Sequence, residues 1–171
     1  MESSLRQDDG RVTVGYSTHY LGGLSIRPQL NQAEVQWLRA LCRWSPGPEA
    51  SDPYGVPMNP GGDGVPTVVV QGRFGSCDWE PTVTGTHLRW VRREKSNDAA
   101  AEILYLIDHF LRPGAHAATS GRAQFADFSF DHMVSGVIAA ERDDGRLWLI
   151  TVADNVVSES LITAGHDDGL W

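Results

Sequence analysis

The spacing of apolar positions changes several times along the chain, and each change marks an element. Tyr20–Ile26 mixes aromatic, β-branched and aliphatic residues around Gly22 and Gly23, which predicts a strand. From Leu30 the period becomes helical. Val35, Leu38, Leu41 and Cys42 fall on one face, with Trp37 and Trp44 flanking it. Leu30-Asn31-Gln32-Ala33-Glu34-Val35 reads as the start of that helix. Asn31 can cap free amides, Glu34 can answer the Asn31 amide, and Leu30 and Val35 are placed as a hydrophobic staple. The helix should end near Arg43, before Ser45-Pro46-Gly47-Pro48.

Residues 45–66 hold six of the nine prolines and five glycines, so they predict a long loop, disordered or wrapped over the surface. Thr67–Val70 is a short β-branched strand. Cys77–Pro81 and Thr86–Val91 read as two arms of a hairpin turning near Thr84-Gly85. In the second arm Leu88 and Trp90 point one way, and His87, Arg89 and Val91 the other. Ser96-Asn97-Asp98 supplies cap candidates for a second helix over Asp98–Leu111, with Ile103, Leu106, Ile107 and Phe110 as its buried stripe and Pro113-Gly114 as its stop. Phe125–Ala140 reads as β-rich with a bulge at Gly136, and Asp143-Asp144-Gly145 as a turn. Arg146–Ala153 reads as a central strand covered on both faces, and Val156–Ile162 as an edge strand. The expected fold is α+β: two helices on a mainly antiparallel sheet, with a ferredoxin-like split βαβ as the first topology. Residues 1–10 and 164–171 are expected to be flexible tails around a single domain over residues 11–163.

Composition narrows the function classes. The 171 residues are 41% hydrophobic and 21% charged, as a soluble globular domain requires. Fourteen basic against 22 acidic residues leave a net charge of −8, which argues against an extended nucleic-acid surface. No apolar run approaches a membrane span, and Met1-Glu2-Ser3-Ser4 does not read as a signal peptide. Two cysteines, Cys42 and Cys77, form no disulfide framework, so free thiols and a cytoplasmic setting are expected.

Candidate chemistry lies in two Asp-His pairs. Asp108-His109 sits near the end of the second helix, with Glu102, Tyr105 and His109 on one outer face. It reads either as a dipole-compensating histidine beside a solvated carboxylate or as an acid/base pair with Tyr105. Asp131 and His132 would point to opposite sides of an extended segment, so one of them needs a partner in the core. The six histidines show no metal-ligand spacing, and neither metal nor cofactor is expected. Cys77, beside Asp78, reads as structural. Arg89, Arg92, Arg93 and Lys95 form the basic cluster. With Trp90 and Trp79 it is a candidate anion or ligand site, or else a solvated hairpin end.

The segments Gly23–Pro28 with Leu30–Val35, Cys77–Thr82, Glu94-Lys95, Tyr105–Leu111, Phe130–His132 and Val152–Val157 together resemble a group of small actinobacterial and phage proteins of unassigned function, over roughly residues 20–157. The resemblance implies one domain in a bacterial cytoplasm and supplies no reaction. The chain departs from the pattern at Ser96-Asn97, where an aromatic residue is expected. The first functional expectation is a small interaction protein recognising a protein or peptide partner, of an immunity, anti-defence or accessory type. A cofactor-free acid/base enzyme of a specialised biosynthetic pathway and a binder of small anionic ligands are the alternatives.

Overall fold

The computed structural model describes residues 16–43, 67–70, 73–91 and 96–165. The predicted tail at 1–10, residues 166–171 of the predicted tail 164–171, the 45–66 loop, Trp44, Arg92, Arg93 and Lys95 lie outside the described residues. The elements are β1 (Thr18–Arg27), α1 (Gln32–Arg43), β2 (Thr67–Val70), β3 (Arg73–Ser76), β4 (Trp79–Pro81), β5 (His87–Trp90), α2 (Ala99–Leu106), β6 (Met133–Arg142), β7 (Leu147–Ala153) and β8 (Val156–Thr163). A π-helical turn, Ile107–Leu111, continues α2, and two 3-10 turns follow at His116–Thr119 and Ala123–Phe125.

The architecture is α+β. Six antiparallel strands run in the order β4-β5-β1-β6-β7-β8, and β2 and β3 form a separate hairpin. Strand alternation puts Tyr20, Leu24, Ile26, Leu88, Val134, Ile138, Ile150 and Val152 on the covered face, all buried. Trp37, Leu38 and Leu41 of α1 and Ile103, Leu106 and Ile107 of the second helix complete that core. β8 is the edge strand the pattern predicted. β7 lies inside the sheet, but cover on both faces is not found among the described residues. Leu147 and Leu149 on its other face are only half-buried, beside Leu21 and Val137 on neighbouring strands at 70% and 51% exposure.

Several expectations need correction. Residues 125–132 are not strand. Phe125 and Phe128, three apart, sit on one side of an irregular turn and pack on Trp37, with ring centroids 5.0 and 6.0 Å away. In a strand the same two residues would point to opposite faces. Gly136 is not a bulge, because the β1–β6 register runs unbroken from Thr18↔Arg142 to Arg27↔Met133. A Cβ at Gly136 would lie 2.7 Å from the Gly23 carbonyl oxygen, so the glycine permits close backbone approach. The register shift falls instead between Leu147 and Trp148, on the β7–β8 side. Asp98 holds the cap position of α2 without a side-chain cap bond. Asn97 is spent elsewhere: its Nδ2 donates to the Tyr16 carbonyl at 2.8 Å and its Oδ1 accepts from Thr18 Oγ1 at 2.6 Å, tying the helix start to β1. The supposed outer face of α2 is also covered, since Glu102 and Tyr105 are buried.

Candidate functional site: a sealed carboxylate and an open cleft

The first helix begins as predicted. Asn31 Oδ1 accepts the Glu34 amide at 3.0 Å, and Glu34 Oε2 accepts the Asn31 amide at 2.7 Å. This is a reciprocal capping box, and a cap of this kind contributes about 1 kcal/mol. The second Glu34 oxygen is also used. Oε1 accepts the Ser129 amide at 2.7 Å and the Ser129 hydroxyl at 3.0 Å, and lies 3.0 Å from His132 Nε2. His132 Nδ1 is 2.8 Å from the Pro28 carbonyl oxygen, which can only accept, so Nδ1 carries a proton. Facing a carboxylate on its other nitrogen, the ring is held as imidazolium. Burial works against both charges, but the mutual hydrogen bonds outweigh it. Glu34 is held below its ordinary value and His132 above it.

This cluster has the residue types of a catalytic Ser-His-Glu set without its geometry. Ser129 Oγ, 3.0 Å away, and Glu34 share His132 Nε2, while a backbone carbonyl occupies Nδ1. His132 and Glu34 are each 1% exposed, so a substrate does not reach either. Asp131 points outward, its carboxylate 3.8 Å from His132 Nδ1.

The other Asp-His pair lies on the π turn. Asp108 accepts from Arg112 Nε at 2.7 Å. His109 stacks on Tyr105 at 4.1 Å and lies 4.7 Å from the His116 ring. Burial, then repulsion from His116, lowers His109 to about 4 against the pull of Asp108. It is a neutral ring at neutral pH. Among the described contacts, His109 and His132 have different neighbours. Cys42 and Cys77 are buried thiols not joined in a disulfide, with sulfurs 3.5 Å apart, and burial raises the Cys42 thiol well above its usual value. Among the described residues no group of three or more His, Cys, Asp or Glu side chains is placed to hold a metal, and no helix is long and apolar enough to cross a membrane.

The candidate ligand residues Arg89, Trp90 and Trp79 lie at or beside a cleft of about 510 Å³, within the range of ligand sites. Its origin is a split in the sheet. Among the described residues β1 and β5 pair only at Leu24↔Leu88 and Ser25↔His87, while β5 stays with β4 as far as Trp79↔Trp90. β1 meanwhile stays paired with β6 along its whole length. At Gly22, φ is +121° and a Cβ would lie 2.6 Å from the Val137 carbonyl oxygen. Beyond the paired residues Tyr20, Leu21 and Gly22 form one wall of the cleft and Glu80, Arg89 and Trp90 the other. Trp90 stands edge-on to Tyr20 at 5.3 Å and to His19 at 6.0 Å. Trp79 is wholly buried behind them.

Glu80 is the charge centre of this cleft. Arg89 donates to its Oε1 from Nε at 3.2 Å and Nη2 at 2.6 Å. Two arginines from α1 approach the same carboxylate, Arg39 at 3.8 Å and Arg43 at 4.0 Å. Adjacency in sequence groups Arg89 with Arg92, Arg93 and Lys95 and does not reveal this grouping. The available signal was the i, i+4 spacing of Arg39 and Arg43, which puts both on one side of α1. Comparison of the chain with protein-family models, curated proteins and solved structures finds no match.

Proposed function

We propose that this chain is a small binding protein that recognises a protein partner by taking an extended segment of it into the β1–β5 cleft. The observation that carries this reading is the early end of the β1–β5 ladder. β1 continues to Thr18 and β5 to Trp90 beyond the last paired residues, Leu24 and Leu88. Ile26 donates its amide to the Thr86 carbonyl at 2.8 Å across this seam. By the two-residue alternation, the main-chain groups of Gly22 and Tyr20 are directed the same way, into the cleft. A strand edge with aromatic side chains beside it suits strand addition, in which main-chain hydrogen bonds give affinity and flanking pockets give selectivity. Trp90, half-buried and braced edge-on by the buried Tyr20, supplies the rigid aromatic surface typical of binding hot spots.

Selection from a displayed library of random peptides tests the reading. Selected peptides should bind the purified protein saturably. Trp90→Ala should weaken them about tenfold or more, the usual scale for an aromatic anchor. Failure to select any peptide, or equal binding by the Trp90→Ala protein, overturns it.

A further inference from the structure

We infer that the cleft prefers a segment carrying an anionic group, which binds at the Glu80 end between the arginines. This rests on the cleft being the binding site and adds the chemistry of its ligand. Three guanidinium groups, from Arg39, Arg43 and Arg89, lie within 4.0 Å of one carboxylate. Glu80 neutralises one of them. It is fixed mainly to Arg89, while the Arg39 and Arg43 contacts are at the outer limit of an ion pair. Those two keep donors for a further acceptor. The neighbouring buried carboxylate, Glu102, is turned to the Asp78 amide at 2.9 Å. Arg43 and Arg89 are each 58% exposed on the side chain, so their heads are reachable from solvent, whereas Glu80 is 8% exposed. A ligand thus meets guanidinium groups before it meets the carboxylate. In a chain of net charge −8 this is a local reversal of sign, and two of its members, Glu80 and Arg89, line the cleft. Planar guanidinium forks match carboxylate and phosphate oxygens, and hydrogen bonds between charged groups are the stronger kind.

The test uses fluorescently labelled peptide pools that are random except at one central position, fixed as Glu, Gln, Lys or phosphoserine, with both termini blocked. A further Gln pool with a free C-terminal carboxylate separates a terminal from a side-chain source. The Glu or phosphoserine pool, or the free-carboxylate pool, should bind at least about tenfold more tightly than the blocked Gln pool, and the Lys pool most weakly. In the Arg39→Gln, Arg43→Gln double variant this preference should fall below about threefold. Equal binding of Glu and Gln pools by the unmodified protein overturns the inference and leaves the peptide-binding function standing. If no pool binds, that function fails, and titration with sodium phosphate decides the anion site separately. Saturating shifts of the arginine Nε–H NMR signals that vanish in the double variant support it. Shifts that merely follow ionic strength, as with sodium chloride, overturn it.

Discussion

Glu34 and Glu80 are both buried glutamates with cationic partners, yet they sit in opposite circumstances. Glu34 has both oxygens taken by Asn31, Ser129 and His132, and the histidine's other nitrogen is taken by Pro28. Donors and acceptors balance, and the pair is closed to solvent. Glu80 is one carboxylate facing three guanidinium groups on the wall of an open cleft. A balanced, sealed pair holds a fold together. An unbalanced one at a cleft has capacity left for something else.

The sealed pair should give the largest effects. His132→Ala leaves a buried carboxylate without its counter-charge, which costs about 3–5 kcal/mol in a chemical denaturation series. Glu80→Gln should cost about 1 kcal/mol or less, since two of its three partners, Arg43 and Arg89, are more than half exposed, and it should tighten an acidic peptide by removing the competing carboxylate. Equal destabilisation by the two substitutions would erase the distinction between the sites.

Next in size is Gly22→Ala, which places a methyl group against the Val137 carbonyl. Overpacking of this kind costs about 1–3 kcal/mol. It should also weaken peptide binding, because Gly22 lines the cleft. Loss of stability with affinity intact would show that this wall of the cleft does not hold the peptide.

Smaller and directional is the dependence on pH. His132 is raised above its ordinary 6.5, so its contribution is complete below that pH and is lost as pH rises through the folded-state value. Glu34 is lowered, so its contribution is present above 4.5 and is lost as pH falls through its folded-state value. The sealed pair is therefore worth most between about pH 4.5 and 6.5. His109 acts in the other direction. Lowered to about 4, it takes up fewer protons than the unfolded chain below pH 6.5, and folding loses stability there. Imidazole NMR titration should find one histidine above 6.5, assigned to His132, and one near 4, assigned to His109. The reverse order would contradict the environments described for both rings.

Much of the fold was legible because period and capping are local. Asn31 and Glu34 announced the helix they cap, and Val156–Ile162 announced the edge strand. Residues 125–132 were not legible, because apolar content was read without period, and the three-residue spacing of Phe125 and Phe128 belongs to a turn. The candidate site was half legible. Arg89 and Trp90 stood out as a charged and aromatic hairpin arm, but Arg39 and Arg43 reach Glu80 only through packing of α1 on β4, a contact 37 to 41 residues away in sequence. Glu34 was read as a cap, and its partnership with His132 spans 98 residues. No local pattern encodes such distances.

The central claim is that the two carboxylate sites divide stability from recognition. One paired measurement tests it most directly: the melting temperature and the affinity for a selected peptide, taken together for Arg89→Ala and Ser129→Ala. Arg89→Ala should lose affinity with little change in melting temperature. Ser129→Ala, which removes one donor to Glu34, should lower the melting temperature and keep the affinity of the folded protein. Affinity that falls with Ser129→Ala and survives Arg89→Ala would contradict the account.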